Sequence, residues 1–179
     1  TKYGKGDLAH QILTTPDFPS QTYVMNSGFT TWPERQFVWE EMSGPTNSLN
    51  HPMHSGFATY FYESLGGVKS TTENAGYKVF TINPEFPSQI TNTKVSVPTP
   101  FGIIKNNWTS KNNILTMNLE VPFNTKAKII LNKKEFESLI INVKSGTEFK
   151  DKDEVKLEES TNVILGSGTY EIQYSKTIQ

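Results

Sequence analysis

The chain has 179 residues, enough for one ordinary domain or for one domain and part of a second. Its net charge of −1 gives no electrostatic footprint for nucleic acid, and its lack of cysteine excludes a disulfide framework, a thiolate metal site and a thiol nucleophile. No apolar run approaches the ~18 residues of a membrane span. The charge is unevenly placed: residues 1–75 hold four Lys or Arg against seven Asp or Glu, whereas residues 76–179 hold thirteen against eleven. The absence of cysteine is also compatible with an exported bacterial protein.

In chain order, residues 5–14 read as a short helix. Asp7 suits the positive end of its dipole, and Leu8, Ile12 and Leu13 supply an apolar face. Thr15-Pro16-Asp17-Phe18-Pro19 stops it, since proline cannot continue the ladder and restricts the residue before it. Residues 20–50 are rich in Ser, Thr, Asn, Gly and Pro, with a short helix expected at 33–42; a connection this long in a compact domain is usually functional. A longer helix is expected from Pro52 to Leu65, where Met53, Phe57, Ala58, Phe61 and Leu65 keep the spacing of a buried stripe. Pro52 fits its first position and Gly66-Gly67 its stop, which leaves His51 at the N-cap.

From Gly76 onward the period changes to two. Leu115, Met117, Leu119 and Val121 alternate with polar residues, as do Tyr170, Ile172 and Tyr174. Further strands are expected over 77–82, 93–98, 102–109, 125–131, 138–143 and 162–165, separated by Asn-Pro, Pro-Thr-Pro, Asn-Asn and Gly-Ser-Gly turns. Short strands with such turns predict an antiparallel β-sandwich with Trp108 in its core. The alternating charges of 148–159 read as a solvated loop and strand edge. The fold class is therefore α+β: a helical piece over 1–75 joined to a β-sandwich over 76–179. The helices expose wide apolar stripes that need a partner surface, either the sandwich or a larger helical domain upstream.

Chemistry concentrates in the first third. Glu34 lies in a Gly-flanked loop between Trp32 and Trp39, and rings beside a carboxylate make an apolar platform of the kind sugar clefts use. A carboxylate placed there suits general acid or base work. His51, at a helix entrance, can donate to and accept from substrate hydroxyls, although capping or packing is its plainer role. His54 reads as structural and His10 carries no motif. No His, Asp and Glu spacing suggests a metal, no cofactor motif is present, and no Ser-His-acid constellation can be assembled.

Several short motifs occur in an order that resembles the bacterial α-L-rhamnosidases, glycoside hydrolase family 78. They are Asp7-Leu-Ala9, Leu13-Thr14, Thr15-Pro-Asp-Phe-Pro-Ser20, Tyr23-Val-Met25, Gly28-Phe-Thr-Thr31 with Glu34-Arg35, Asn47-Ser-Leu-Asn-His51, and Gly56 through Tyr62 to Leu65-Gly-Gly67. Gly76 through Pro84 looks like that family's passage into its C-terminal sandwich; beyond residue 85 the likeness rests on strand pattern and on Phe101-Gly-Ile103.

The resemblance implies an (α/α)6 barrel whose last helices are residues 1–75, followed by the sandwich, in an enzyme much longer than this chain. It implies inverting hydrolysis of terminal α-L-rhamnosides, with Glu34 as general base and His51, with Trp32, contacting the sugar. Its partners are then a rhamnoside substrate and the remainder of the barrel. The sequence departs from the family at Pro33, where Trp usually precedes the Glu, and at Gln21, where an aromatic is usual; both touch sugar specificity. Inversion needs two carboxyl groups roughly 6.5–9.5 Å apart. The family's acid belongs to an Asp-Cys-Pro-x-Arg-Asp-Glu-type motif that this sequence lacks, and Glu40, Glu41 and Glu63 have no matching context. The chain alone is expected to be inactive. A carbohydrate-binding or purely structural sandwich, and a helical-barrel glycosidase for another sugar, are the alternative readings.

Overall fold

The computed structural model describes residues 5–35, 48–71, 75–130, 136–146, 152–156 and 162–176. The chain forms two compact units, Thr1–Tyr60 and Phe61–Gln179.

The first unit is built from short helical pieces. Helix α1 (Gly6–Thr14) begins with Asp7 in its first turn and ends where Thr15, extended ahead of Pro16, returns its N–H to Gln11 at 2.9 Å. None of its residues is buried, and the expected apolar face is open, with Leu8 52% and Ile12 57% exposed. Helix α2 (Gln21–Asn26) is an element that the loop-like composition concealed. Its N-cap is Ser20, whose Oγ accepts the Tyr23 N–H at 2.8 Å. Gly28, at φ +83°, closes it with a 3.1 Å bond from its N–H to the Met25 carbonyl. Residues 33–35 are bent rather than helical; the remainder of the helix expected at 33–42 lies outside the described residues.

The helix expected from Pro52 to Leu65 is not one α-helix. Pro52–Ala58 winds as a tight 3-10 helix, and Tyr60–Leu65 widens into a π turn that the Gly66 N–H closes on Phe61 O at 3.0 Å. Two local causes act. Ser55 and Gly56 have little helix propensity, and the Ser55 hydroxyl donates to Pro52 O at 2.6 Å, in competition with the ladder. The change of pitch breaks the anticipated stripe: Leu65 is buried, whereas Met53 and Phe61 are exposed.

The second unit is a sandwich with ten strands among its described residues: β1 Val68–Ser70, β2 Val79–Ile82, β3 Asn92–Thr99, β4 Gly102–Lys111, β5 Ile114–Val121, β6 Lys126–Ile130, β7 Phe136–Gly146, β8 Lys152–Lys156, β9 Asn162–Leu165 and β10 Gly168–Lys176. One sheet has the order β1-β2-β6-β9 and the other β3-β4-β5-β10-β7-β8. Period-two alternation places Leu115, Met117, Leu119 and Val121 inward from β5, and Tyr170, Ile172 and Tyr174 inward from β10. Opposite them Phe80, Ile82, Ala127, Ile129 and Leu165 fill the same core, where each fully buried aliphatic chain contributes about 1.5–3 kcal/mol.

The sandwich is mostly but not wholly antiparallel. Strands β2 and β6 pair in parallel, Val79 with Lys126 through Ile82 with Ile129. A parallel pair needs a long crossover, and here the connection is the β3–β5 meander of the other sheet. Within the charge-rich stretch 148–159, Lys152–Lys156 forms the edge strand β8, the place where charged sequence discourages further pairing. Among the described residues the expected (α/α)6 barrel is not seen; their helical elements are the four short pieces above.

Candidate functional site

Two loop segments of the first unit are joined by hydrogen bonds, and between them they carry Trp32, Glu34 and His51. The His51 N–H donates to Trp32 O at 2.7 Å, and the Glu34 N–H donates to Ser48 O at 2.8 Å. Pro33, which has no N–H to place, falls between these bonds and is buried. The Thr31 hydroxyl also donates to the Leu49 carbonyl. Residues 31–35 and 48–51 are thereby held side by side although the chain between them is twelve residues long.

Each candidate side chain has a local anchor. The Ser48 N–H points at Glu34 Oε2 at 3.3 Å, a long contact that helps to orient the carboxylate. Glu34 is half-buried and makes no ion pair among the described residues. His51 is the N-cap residue of the Pro52–Ala58 helix, with Pro52 in the first position, and its side chain makes no capping bond. Its Nε2 lies 2.8 Å from the exposed Met53 Sδ, and its ring sits 5.5 Å from that of His54. Trp32, half-buried, meets the Phe57 ring edge-to-face at 4.7 Å and 79°.

The backbone bonds set side by side two segments that carry a carboxylate, an imidazole and an indole; groups of these kinds can activate water, bond hydroxyls and pack against a ring. Trp39, Glu40 and Glu41 lie outside the described residues, and Glu63 is on the exposed part of the π turn. Sequence reading treated Phe57 only as helix stripe and did not single out Ser48. The one hint was that Phe57 follows His51 within two helical turns. No group of three or more potential metal ligands occurs among the described residues. No helix among them is long and apolar enough to cross a membrane.

Two facing sheets over one core, entered from a segment of short helices, define a β-sandwich domain. Residues 67–145 match the family described as the bacterial alpha-L-rhamnosidase C-terminal domain. An alpha-L-rhamnosidase of Formosa agariphila is 66% identical over 98% of this chain, which is 18% of that protein. One of Alteromonas sp. is 34% identical over 71% of the chain, or 14% of its own length. The structure of alpha-L-rhamnosidase from Dictyoglumus thermophilum superposes with a TM-score of 0.78 over 98% of this chain and 19% of that one, at 24% identity. That of Streptomyces avermitilis alpha-L-rhamnosidase complexed with L-rhamnose gives 0.72 over 93% of this chain and 16% of that one, at 20% identity. These two structures speak for the fold.

The chain belongs to the bacterial alpha-L-rhamnosidase family, glycoside hydrolase family 78, as a C-terminal portion carrying that family's C-terminal domain. It spans less than a fifth of the length of the curated relatives it matches.

Proposed function

We propose that this chain is the C-terminal part of an inverting glycoside hydrolase that removes terminal α-L-rhamnose from glycans or glycosides. Residues 1–75 are read as the end of its helical catalytic domain and residues 76–179 as the appended sandwich. The observation that carries the reading is the bonded pair of loops that holds Glu34 and His51 on neighbouring segments, His51 N–H on Trp32 O and Glu34 N–H on Ser48 O.

In this mechanism Glu34 is the general base. It takes a proton from a water that attacks the anomeric carbon while a second carboxyl group, supplied by a part of the parent enzyme outside this chain, protonates the departing glycosidic oxygen. Attack opposite the leaving group inverts the anomeric centre. His51 bonds the sugar hydroxyls, and Trp32 offers its ring to the apolar face of the rhamnose. The fragment supplies the base and not the acid, so it hydrolyses nothing alone.

The test is Glu34→Gln in the full-length parent. The amide keeps size and hydrogen bonding but cannot accept the proton, so kcat falls about 10²–10⁴-fold with unchanged thermal stability. Proton NMR of the first product formed reports the anomer. Activity retained in E34Q removes the assignment of the base, and an initial α-anomer removes inversion.

A further inference from the structure

We propose that Phe57 is a positioning residue for the sugar subsite, acting through Trp32; this rests on the reading of Trp32 and His51 as sugar contacts. The backbone of Trp32 is fixed from two directions. Its carbonyl accepts the His51 N–H at 2.7 Å, and the Pro33 that follows confines residue 32 to extended conformations. Neither restraint sets the indole, which keeps its two side-chain torsions. Among the described residues the aromatic ring that meets it is Phe57, edge-to-face at 4.7 Å and 79°, inside the range that aromatic pairs prefer.

Phe57 belongs to the same 3-10 helix, Pro52–Ala58, whose N-cap is His51. One short helix therefore carries the imidazole at its entrance and the ring that holds the indole near its end. The two sugar contacts are set by a single piece of backbone, while Glu34 is oriented separately by Ser48. Loosening Phe57 frees the platform and leaves the base in place. The consequence is a change in substrate binding without a change in the chemical step.

The experiment uses the full-length parent and a chromogenic aryl α-L-rhamnoside. Phe57→Leu, which keeps apolar bulk and removes the ring, raises KM by about 2- to 10-fold at constant kcat, the range an aromatic pair commands. Phe57→Tyr restores KM. Trp32→Ala raises KM at least as much, and adding F57L to it changes nothing further. If W32A raises KM and F57L does not, or if the two effects add, Phe57 does not act through Trp32 and the proposal is wrong. If W32A leaves KM unchanged, the reading of Trp32 as a sugar contact fails, and this inference falls with it. A drop in kcat with F57L that F57Y does not recover also overturns the proposal. Should F57L fail to fold, Phe57→Met carries the same comparison.

Discussion

The indole N–H of Trp108 donates to the carbonyl of Leu65 at 2.7 Å, forty-three positions away in sequence and fully inside the sandwich unit. Next to it, Asn106 Nδ2 donates to Gly66 O at 2.8 Å. Two successive inward positions of β4 thus donate to the last carbonyl of the π turn and to the one that follows it, groups that helix geometry leaves without partners. Trp108→Phe keeps most of the ring and strands the Leu65 carbonyl in the core. The expected loss is about 1–3 kcal/mol, read as a lower urea midpoint at unchanged slope. An unaltered midpoint would show that Leu65 O finds another donor.

Gly67 is a point where this chain segment has no room for a side chain. Its φ is +66°, and a Cβ there would lie 2.2 Å from the Pro84 nitrogen and 2.6 Å from the Asn83 carbonyl carbon. Both neighbours are backbone, and the Gly67 carbonyl is itself held by the Asn83 N–H at 2.9 Å. Gly67→Ala carries the ~1–2 kcal/mol of a left-handed β-carbon before any clash is counted. The clash adds to it, so thermal unfolding moves down by several degrees, and further than for an alanine at the exposed Gly56, where a Cβ meets nothing within 4 Å. Equal shifts for G67A and G56A would mean that the Asn83–Pro84 segment yields without cost.

The sandwich was legible because strands such as β5 and β10 bury one face, and a period of two survives in sequence wherever that holds. All eight expected strands are present. What escaped was short or had its cause far away. Strand β1 has three residues and α2 six, too few for a period to emerge, and the only mark of α2 was its Ser20 cap. The parallel pairing of β2 with β6 is a property of topology, which alternation does not encode. Asn106 sits in an apolar row between Ile104 and Trp108, and its reason is a carbonyl forty residues back. At the candidate site, Glu34 and His51 stood out by residue type and neighbours. The bonds that align their two loops are non-local, so neither Ser48 nor Phe57 could be singled out. The helix over Pro52–Leu65 failed for the opposite reason: its stripe had the right period, but local propensity at Ser55-Gly56 overrode it.

Tyr174 sits on β10 between Leu115 of β5 and Leu139 of β7, and its side chain is buried in the core. Burial makes the phenolate costly there and pushes the phenol well above its ordinary value of 10.0. In the unfolded chain the same phenol ionises near that ordinary value. Below it both states hold the proton, and Tyr174 gives stability no pH dependence. Above it the unfolded state loses the proton while the folded state keeps it, so rising pH favours unfolding. The urea midpoint should accordingly be level with respect to this group through neutral pH and decline once pH passes about 10. Tyr174→Phe removes the ionising group from both states and makes that alkaline decline shallower. The comparison to make is the slope of stability against pH from 9 to 11 for the two proteins. Parallel slopes would show that the folded state admits the phenolate after all, through water reaching the interface of β10 with its neighbours.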